Sequence, residues 1–231
     1  MVLPRFSRSV RVGKTITQHT FVTSHRPQLY RRSDSNPYFA TPATITLGVE
    51  AMGKSPAIQI ANLHESHPRV RAKDWRSPLV NRLLGNAKYK DGACEIDDSF
   101  RPPAAPSATQ QKLPLSWEGL KSDFDQAVNT YQEPVITEFA TLGLACILVS
   151  ERAHLEITEV TRRGEKADYW LGDRQFLLEV SGQQTGDLEG LCSTKANQLL
   201  ANPFEKSGYV CVASYDKRTA RLWFYDDNSG S

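Results

Sequence analysis

From Val135 to Val149 the only polar residues are Thr137, Glu138 and Thr141. Pro134 suits the first position of a helix, and a helix running from there to Val149 is apolar nearly all round. Such a helix has to be buried. The longest unbroken apolar run, Leu142 to Val149, falls well short of the ~18 residues a membrane span needs, so no membrane partner is expected. Layers to bury the helix follow directly in the chain. His154 to Val160 alternates as a strand, Ala167 to Leu171 and Gln175 to Ser181 are apolar runs around Gly172-Asp173, and Asp187 caps a helix from Leu188 to about Ala201. Tyr209 to Tyr215 and Ala220 to Tyr225 read as two more strands. The class is α/β.

Gly-Asp between two apolar runs predicts a hairpin with Gly172 and Asp173 at the centre of the turn. Leu171 then faces Arg174, Asp168 faces Leu177, and Asp168 and Glu179 are diagonal neighbours on one sheet face. Diagonal neighbours lie roughly 7–8 Å apart, close enough for two carboxylates to share a hard cation. A three-residue turn would place the two acids on opposite faces and leave a plain α/β binding protein with surface charges.

Two further charges are predicted to point inward. Glu138 shares a helical face with Val135, Leu142, Ala145 and Val149, and a buried carboxylate requires a partner, a hydrogen bond or a metal. Lys195 stands four residues from both Leu191 and Leu199, on the stripe formed with Leu188 and Cys192. It either faces an anion or runs along the apolar surface to reach water.

The remainder of the chain is less patterned. Residues 1–36 form a basic arm; over residues 1–49 seven basic groups stand against one acid, Asp34. A β-containing region is expected over 37–98, with strands at Ala43 to Ala51 and Ala57 to Asn62. Its later part carries Arg69, Arg71, Lys73 and Arg76 around Trp75, a composition that suits either nucleic-acid contact or an ordinary solvated surface. Residues 99–115, rich in Pro, Ala and Gln, read as a linker. A domain over 116–226 then opens with Ser116 as an N-cap and a helix to Tyr131. The four cysteines are scattered with no CxxC pair, which excludes a zinc signature and fits the reduced thiols of a cytoplasmic protein. No phosphate-binding GxxxxGK[ST] loop and no HExxH is present.

The order helix, strand, strand, strand, helix, strand over about residues 133–225, with Glu138, Asp168 and Glu179 in the first helix, second strand and third strand, resembles the PD-(D/E)xK or restriction-endonuclease-like superfamily. The resemblance implies a mixed β-sheet flanked by helices, a restriction-endonuclease-like core, here with a β-containing amino-terminal extension. It also implies metal-dependent cleavage of phosphodiesters, most often in DNA. Asp168 matches the first acid and Glu179 the second, while Ser181 stands where the motif has lysine and Ala167 where it has proline. Some members carry the lysine on the following helix, where Lys195 is suitably placed. On this pattern Asp168, Glu179 and the backbone carbonyl of Val180 hold Mg²⁺ or Mn²⁺, Glu138 binds a second ion, and Lys195 orients the attacking water or neutralises charge at phosphorus. Gln183 and Gln198 are candidates for phosphate contact. Two functions remain open: an endonuclease working beside a protein partner or as a homo-oligomer in defence or in a mobile element, or, with Ser181 marking a lost site, an inactive subunit that binds nucleic acid or scaffolds an assembly.

Overall fold

The strand Gly208–Ser214 is buried at all seven positions, which explains its unbroken run of apolar and small residues: it is covered on both faces. Among the described residues it is the seventh of eight strands in a single mixed sheet. The computed structural model describes residues 56–85, 92–118, 120 and 124–227, all within the second of two units, residues 1–50 and 51–231. The expected basic arm and the strand expected at 43–51 lie outside the described residues.

In chain order the described elements are β1 (Ile58–Gln59), a 3₁₀ turn (Ile60–Asn62), α1 (Leu63–Ser66), a second 3₁₀ turn (Ala72–Trp75), α2 (Arg76–Leu84), β2 (Ala93–Arg101), β3 (Thr109–Ser116) and α3 (Phe124–Thr130). There follow α4 (Glu133–Leu148), extended by a π turn (Val149–Ala153), then β4 (Ile157–Val160), β5 (Tyr169–Leu171), β6 (Phe176–Gln183), α5 (Leu188–Leu200), β7 (Gly208–Ser214) and β8 (Thr219–Tyr225). The sheet order is β1-β3-β2-β8-β7-β6-β5-β4. The pairs β1/β3, β2/β8 and β6/β7 are parallel and the others antiparallel.

The helix expected from Pro134 is present; it lies on one sheet face over β6 and β7 and packs against α2. By length and composition the continuous helix Glu133–Ala153 is apolar enough to cross a membrane, yet 67% of its most apolar window is buried inside this fold. Its apolar surface is taken up by the sheet and α2. Close approach to the sheet depends on Gly182 in β6, where a Cβ would lie 1.8 Å from the Thr141 hydroxyl. His67 ties the first helices to this layer. Its Nδ1 accepts from the Ile157 amide at 2.9 Å, so its Nε2 donates to the Cys146 carbonyl at 2.9 Å. Burial lowers its pKa, in keeping with a neutral ring. On the opposite face α5 packs over Trp170, Leu177, Val210 and Val212.

Three expectations for the amino-terminal half are corrected. Residues 99–115 are not a linker: they hold the end of β2 and nearly all of β3, paired from Ala93↔Ser116 to Phe100↔Thr109. Ser116 is not an N-cap. Its hydroxyl donates to the Gly92 carbonyl, and the Trp117 amide bonds the same carbonyl at 2.8 Å, prolonging the ladder. The described helix is Phe124–Thr130, and Trp117 and Leu120 reach the core from non-helical backbone. Of the strand expected at 57–62 only Ile58–Gln59 is extended, because a 3₁₀ turn follows at once.

Candidate active site

The β5–β6 connection fixes the relation of the two acids. The register Tyr169↔Leu178, Trp170↔Leu177, Leu171↔Phe176 makes the turn four residues, Gly172 to Gln175, where two had been expected. Gly172, Asp173 and Arg174 all have positive φ. Distant contacts hold this longer turn: Asp173 pairs with Arg69, and Arg174 pairs with Glu159 and stacks over Trp170. Lengthening the turn by two shifts the register but keeps the parity of the faces. Trp170 and Leu177 oppose one another and both meet α5. Asp168, two residues before Trp170, and Glu179, two after Leu177, therefore share the α5 face.

Glu179 is fully buried. Lys195, from α5, donates to its Oε1 at 2.6 Å and to the Gln198 side chain at 3.2 Å. The four-residue spacing within α5 thus delivers the ammonium to an anion, the first of the two expected alternatives. Asp168 Oδ2 accepts from the Val180 amide at 2.8 Å. The N–H and C=O of a strand residue point to the same side, so the Val180 carbonyl is directed toward the same lateral opening at the end of β5.

Electrostatically the pair is frustrated. Burial, then the charge of Asp168, pushes the Glu179 carboxyl up to about 7 against the opposing pull of Lys195. Burial likewise raises Asp168, with the Val180 amide and Lys195 opposing. Among the described residues Glu179 Oε2 is buried with no hydrogen-bond partner. A buried acceptor without a donor and two acids raised by burial, Glu179 also by the charge of Asp168, are features that a hard cation relieves, and hard oxygens suit Mg²⁺ or Mn²⁺. Among the described residues no group of three or more His, Cys, Asp or Glu side chains is gathered as a metal cluster. The acids by themselves offer two carboxylates.

Asp168, Val180 and Lys195 line one cleft of about 400 Å³ together with Pro134, Glu138, Tyr169, Ser181 and Gly182 among others, while Glu179 lies buried behind Lys195 and does not itself line it. Glu138 is in place but not buried. It is exposed with Pro134 in the first turns, while Leu142 and Ala145 on the same face are buried, and Thr137 and Thr141 are the buried polar residues of that helix. The first turns of α4 wall the cleft, and the helix becomes enclosed from Ala140 onward.

The four basic residues expected to meet nucleic acid are not brought to this cleft. Arg69 pairs with Asp173 and Glu156, Arg71 with Asp74 at 2.8 Å, and Arg76 donates to the carbonyls of Lys73 and Ala61. Lys73 is exposed and does not line the cleft. Gln183 is half-buried at the end of β6, its amide nitrogen without a partner among the described residues, and also outside the cleft. Gln198 lines a second cleft that shares Val160 and Asp168 with the first and is bordered by Arg162, Arg163 and Lys166. Those three cations were not anticipated as site residues, although the run Arg162-Arg163-Gly164-Glu165-Lys166 immediately before Asp168 carries the signal.

No protein-family model, curated protein or solved structure matches the chain. A functional reading therefore rests on the geometry alone.

Proposed function

We propose that this chain is a metal-dependent nuclease with a restriction-endonuclease-like core formed by α4, β4, β5, β6, α5 and β7. One observation carries the reading: Lys195, arriving from the helix after the acidic strand, bonds the buried Glu179 beside Asp168. That supplies from α5 the cation that the motif position Ser181 lacks. It also favours an active enzyme over an inactive subunit.

Asp168, Glu179 and the Val180 carbonyl are the groups that hold the cation, with Glu138 on the wall of the same cleft for a second. When bound, Mg²⁺ or Mn²⁺ supplies Lewis-acid activation of water and neutralises charge building on the phosphate. Lys195 opposes the protonation of Glu179 and presents its remaining N–H to a phosphate oxygen or the attacking water. The half-buried position of Lys195 strengthens that contact, because screening by solvent is reduced.

The test is cleavage of labelled single- and double-stranded DNA and RNA with Mg²⁺ or Mn²⁺, comparing the wild type with Asp168→Ala and Lys195→Ala. Cleavage of DNA is expected, abolished by chelator and by Asp168→Ala, and reduced about 10²- to 10³-fold by Lys195→Ala. Absence of cleavage by the wild type on every substrate would overturn the nuclease and favour a binding subunit.

A further inference from the structure

The loop joining β4 to β5 is built from Thr161 to Ala167 and is closed at its base: the Thr161 amide bonds the Asp168 carbonyl at 3.0 Å, and the Thr161 hydroxyl donates to the Ala167 carbonyl. Inside the loop Glu165 accepts from the Arg162 amide at 2.7 Å and from the Trp170 indole at 3.4 Å, and its own amide bonds the Arg162 carbonyl at 3.0 Å. The one acid of the loop is thus used to shape it. Elsewhere arginines are engaged, for Arg69, Arg71, Arg82, Arg152, Arg174 and Arg221 each hold a carboxylate. Among the described residues Arg162, Arg163 and Lys166 have no side-chain hydrogen bond or ion pair with any group. They border the cleft that leads through Val160 and Asp168 into the site containing Lys195.

Three unpaired cations on a tied loop, immediately beside a pair of acids, are an arrangement for holding an anion that extends past the acids. Val160 adds the second half of the argument. It is 64% exposed, and it lines both clefts, between the loop and the acids. An exposed branched aliphatic side chain between two charged stations is poorly suited to phosphate and well suited to the face of an unstacked base. In a duplex that face is hidden, whereas in a single strand it is free to contact apolar side chains.

We infer that the β4–β5 loop is a phosphate-binding site for single-stranded nucleic acid, with Arg162, Arg163 and Lys166 gripping the backbone next to the reacting phosphate and Val160 receiving a base. This rests on the proposed reading of the cleft as a place where nucleic acid is processed. The loop then selects the substrate, and the 69–76 segment does not.

Binding of a fluorescent single-stranded DNA oligonucleotide to the full chain, measured in chelator across a salt series, tests the site without requiring cleavage. The variant Arg162→Ala/Arg163→Ala/Lys166→Ala is expected to bind roughly tenfold more weakly or worse, and the slope of log K against log salt should become shallower by about 2, from ~0.7 per lost contact. The variant Arg69→Ala/Arg71→Ala/Lys73→Ala should keep both affinity and slope. Arg163→Glu alone should weaken binding in the same direction, which gives a second reading if the triple variant is poorly folded. An unchanged affinity and slope in the loop variants, or no binding by the wild type, overturns the site. Duplex bound as tightly as single strand overturns the strandedness. Loop-dependent binding by a wild type that cleaves nothing leaves this site standing and removes the nuclease; cleavage that ignores the loop variants does the reverse.

Discussion

Burial raises both Asp168 and Glu179, so their charged forms carry an electrostatic cost in this fold. The Glu179 carboxyl has an ordinary value of 4.5 in an unfolded chain and about 7 in this fold, because burial and then Asp168 penalise its charge. The folded state therefore binds the proton more tightly. That contribution to stability is complete below pH 4.5 and is lost as pH rises through 7. A divalent cation acts against the same penalty only once the carboxylates are ionised. Added Mg²⁺ or Mn²⁺ is accordingly expected to raise Tm more at pH 8 than at pH 5.5, as differential scanning fluorimetry would show. Asp168→Asn removes one of the two interacting charges while its side-chain oxygen still accepts from the Val180 amide. In chelator at pH 8 this variant should melt about 2–4 °C above wild type, the size of a ~1 kcal/mol gain in a domain of this length, and lose the cation response. A variant that melts lower, or still responds to the cation, would show that the pair is an ordinary structural network.

At the level of elements, α4 has to lie close on β6 for Glu138 and Lys195 to reach the same cleft, and Gly182 makes that approach possible. A Cβ at Gly182 would also lie 3.0 Å from Thr141 Cβ, so Gly182→Ala has to push the helix outward instead of merely turning a hydroxyl aside. Overpacking of this kind costs about 1–3 kcal/mol, and a shift of ~1 Å in a positioned group reduces rate up to ~10²-fold. Thermal melting and a cleavage assay on Gly182→Ala should show both losses, with the loss of rate exceeding what the unfolded fraction explains; retained activity at wild-type rate would mean that α4 does not set the cleft. The elements of this half were legible because each carries its own period: apolar all round in α4, a stripe in α5, an unbroken run in β7. Lys195 was legible for the same reason, as its spacing from Leu191 and Leu199 fixes a direction. The pairing of Asp168 with Glu179 survived a wrong turn length because only the parity of the turn decides the face. The exposure of Glu138 was not legible. Spacing gives its helical face but not that the first turns of α4 run along a cleft. Nor was β3, which buries only Leu113 and Leu115 and leaves Thr109 to Lys112 exposed, so its composition is that of a loop while its partners come from β2.

For the whole molecule the consequence is that the fold does not begin at residue 116. β2 pairs in parallel with β8 from Asp97↔Thr219 to Arg101↔Trp223, joining the amino-terminal hairpin to the last strand of the chain. Ile96, Leu113, Leu115 and Leu79 are buried in the same core as Leu144 and Leu148. Asp98, fully buried, receives two hydrogen bonds of 2.9 Å from Arg152 in the π turn after α4. A fragment spanning 116–231 therefore loses one side of the α4 core, exposes the edge of β8, and leaves Arg152 largely enclosed without its counter-charge, an arrangement that costs about 3–5 kcal/mol from the ion pair alone. Since a domain of this kind is stable by only about 5–15 kcal/mol, the fragment should show no cooperative melt and should bind a dye for exposed apolar surface. Residues 51–231 retain every described strand of the sheet and should melt in one transition. Calorimetry of the two fragments side by side decides it: a sharp transition from 116–231 would mean that β1, β2 and β3 are an appendage on an independent nuclease-like core, and its absence would mean that the eight-stranded sheet folds as a unit.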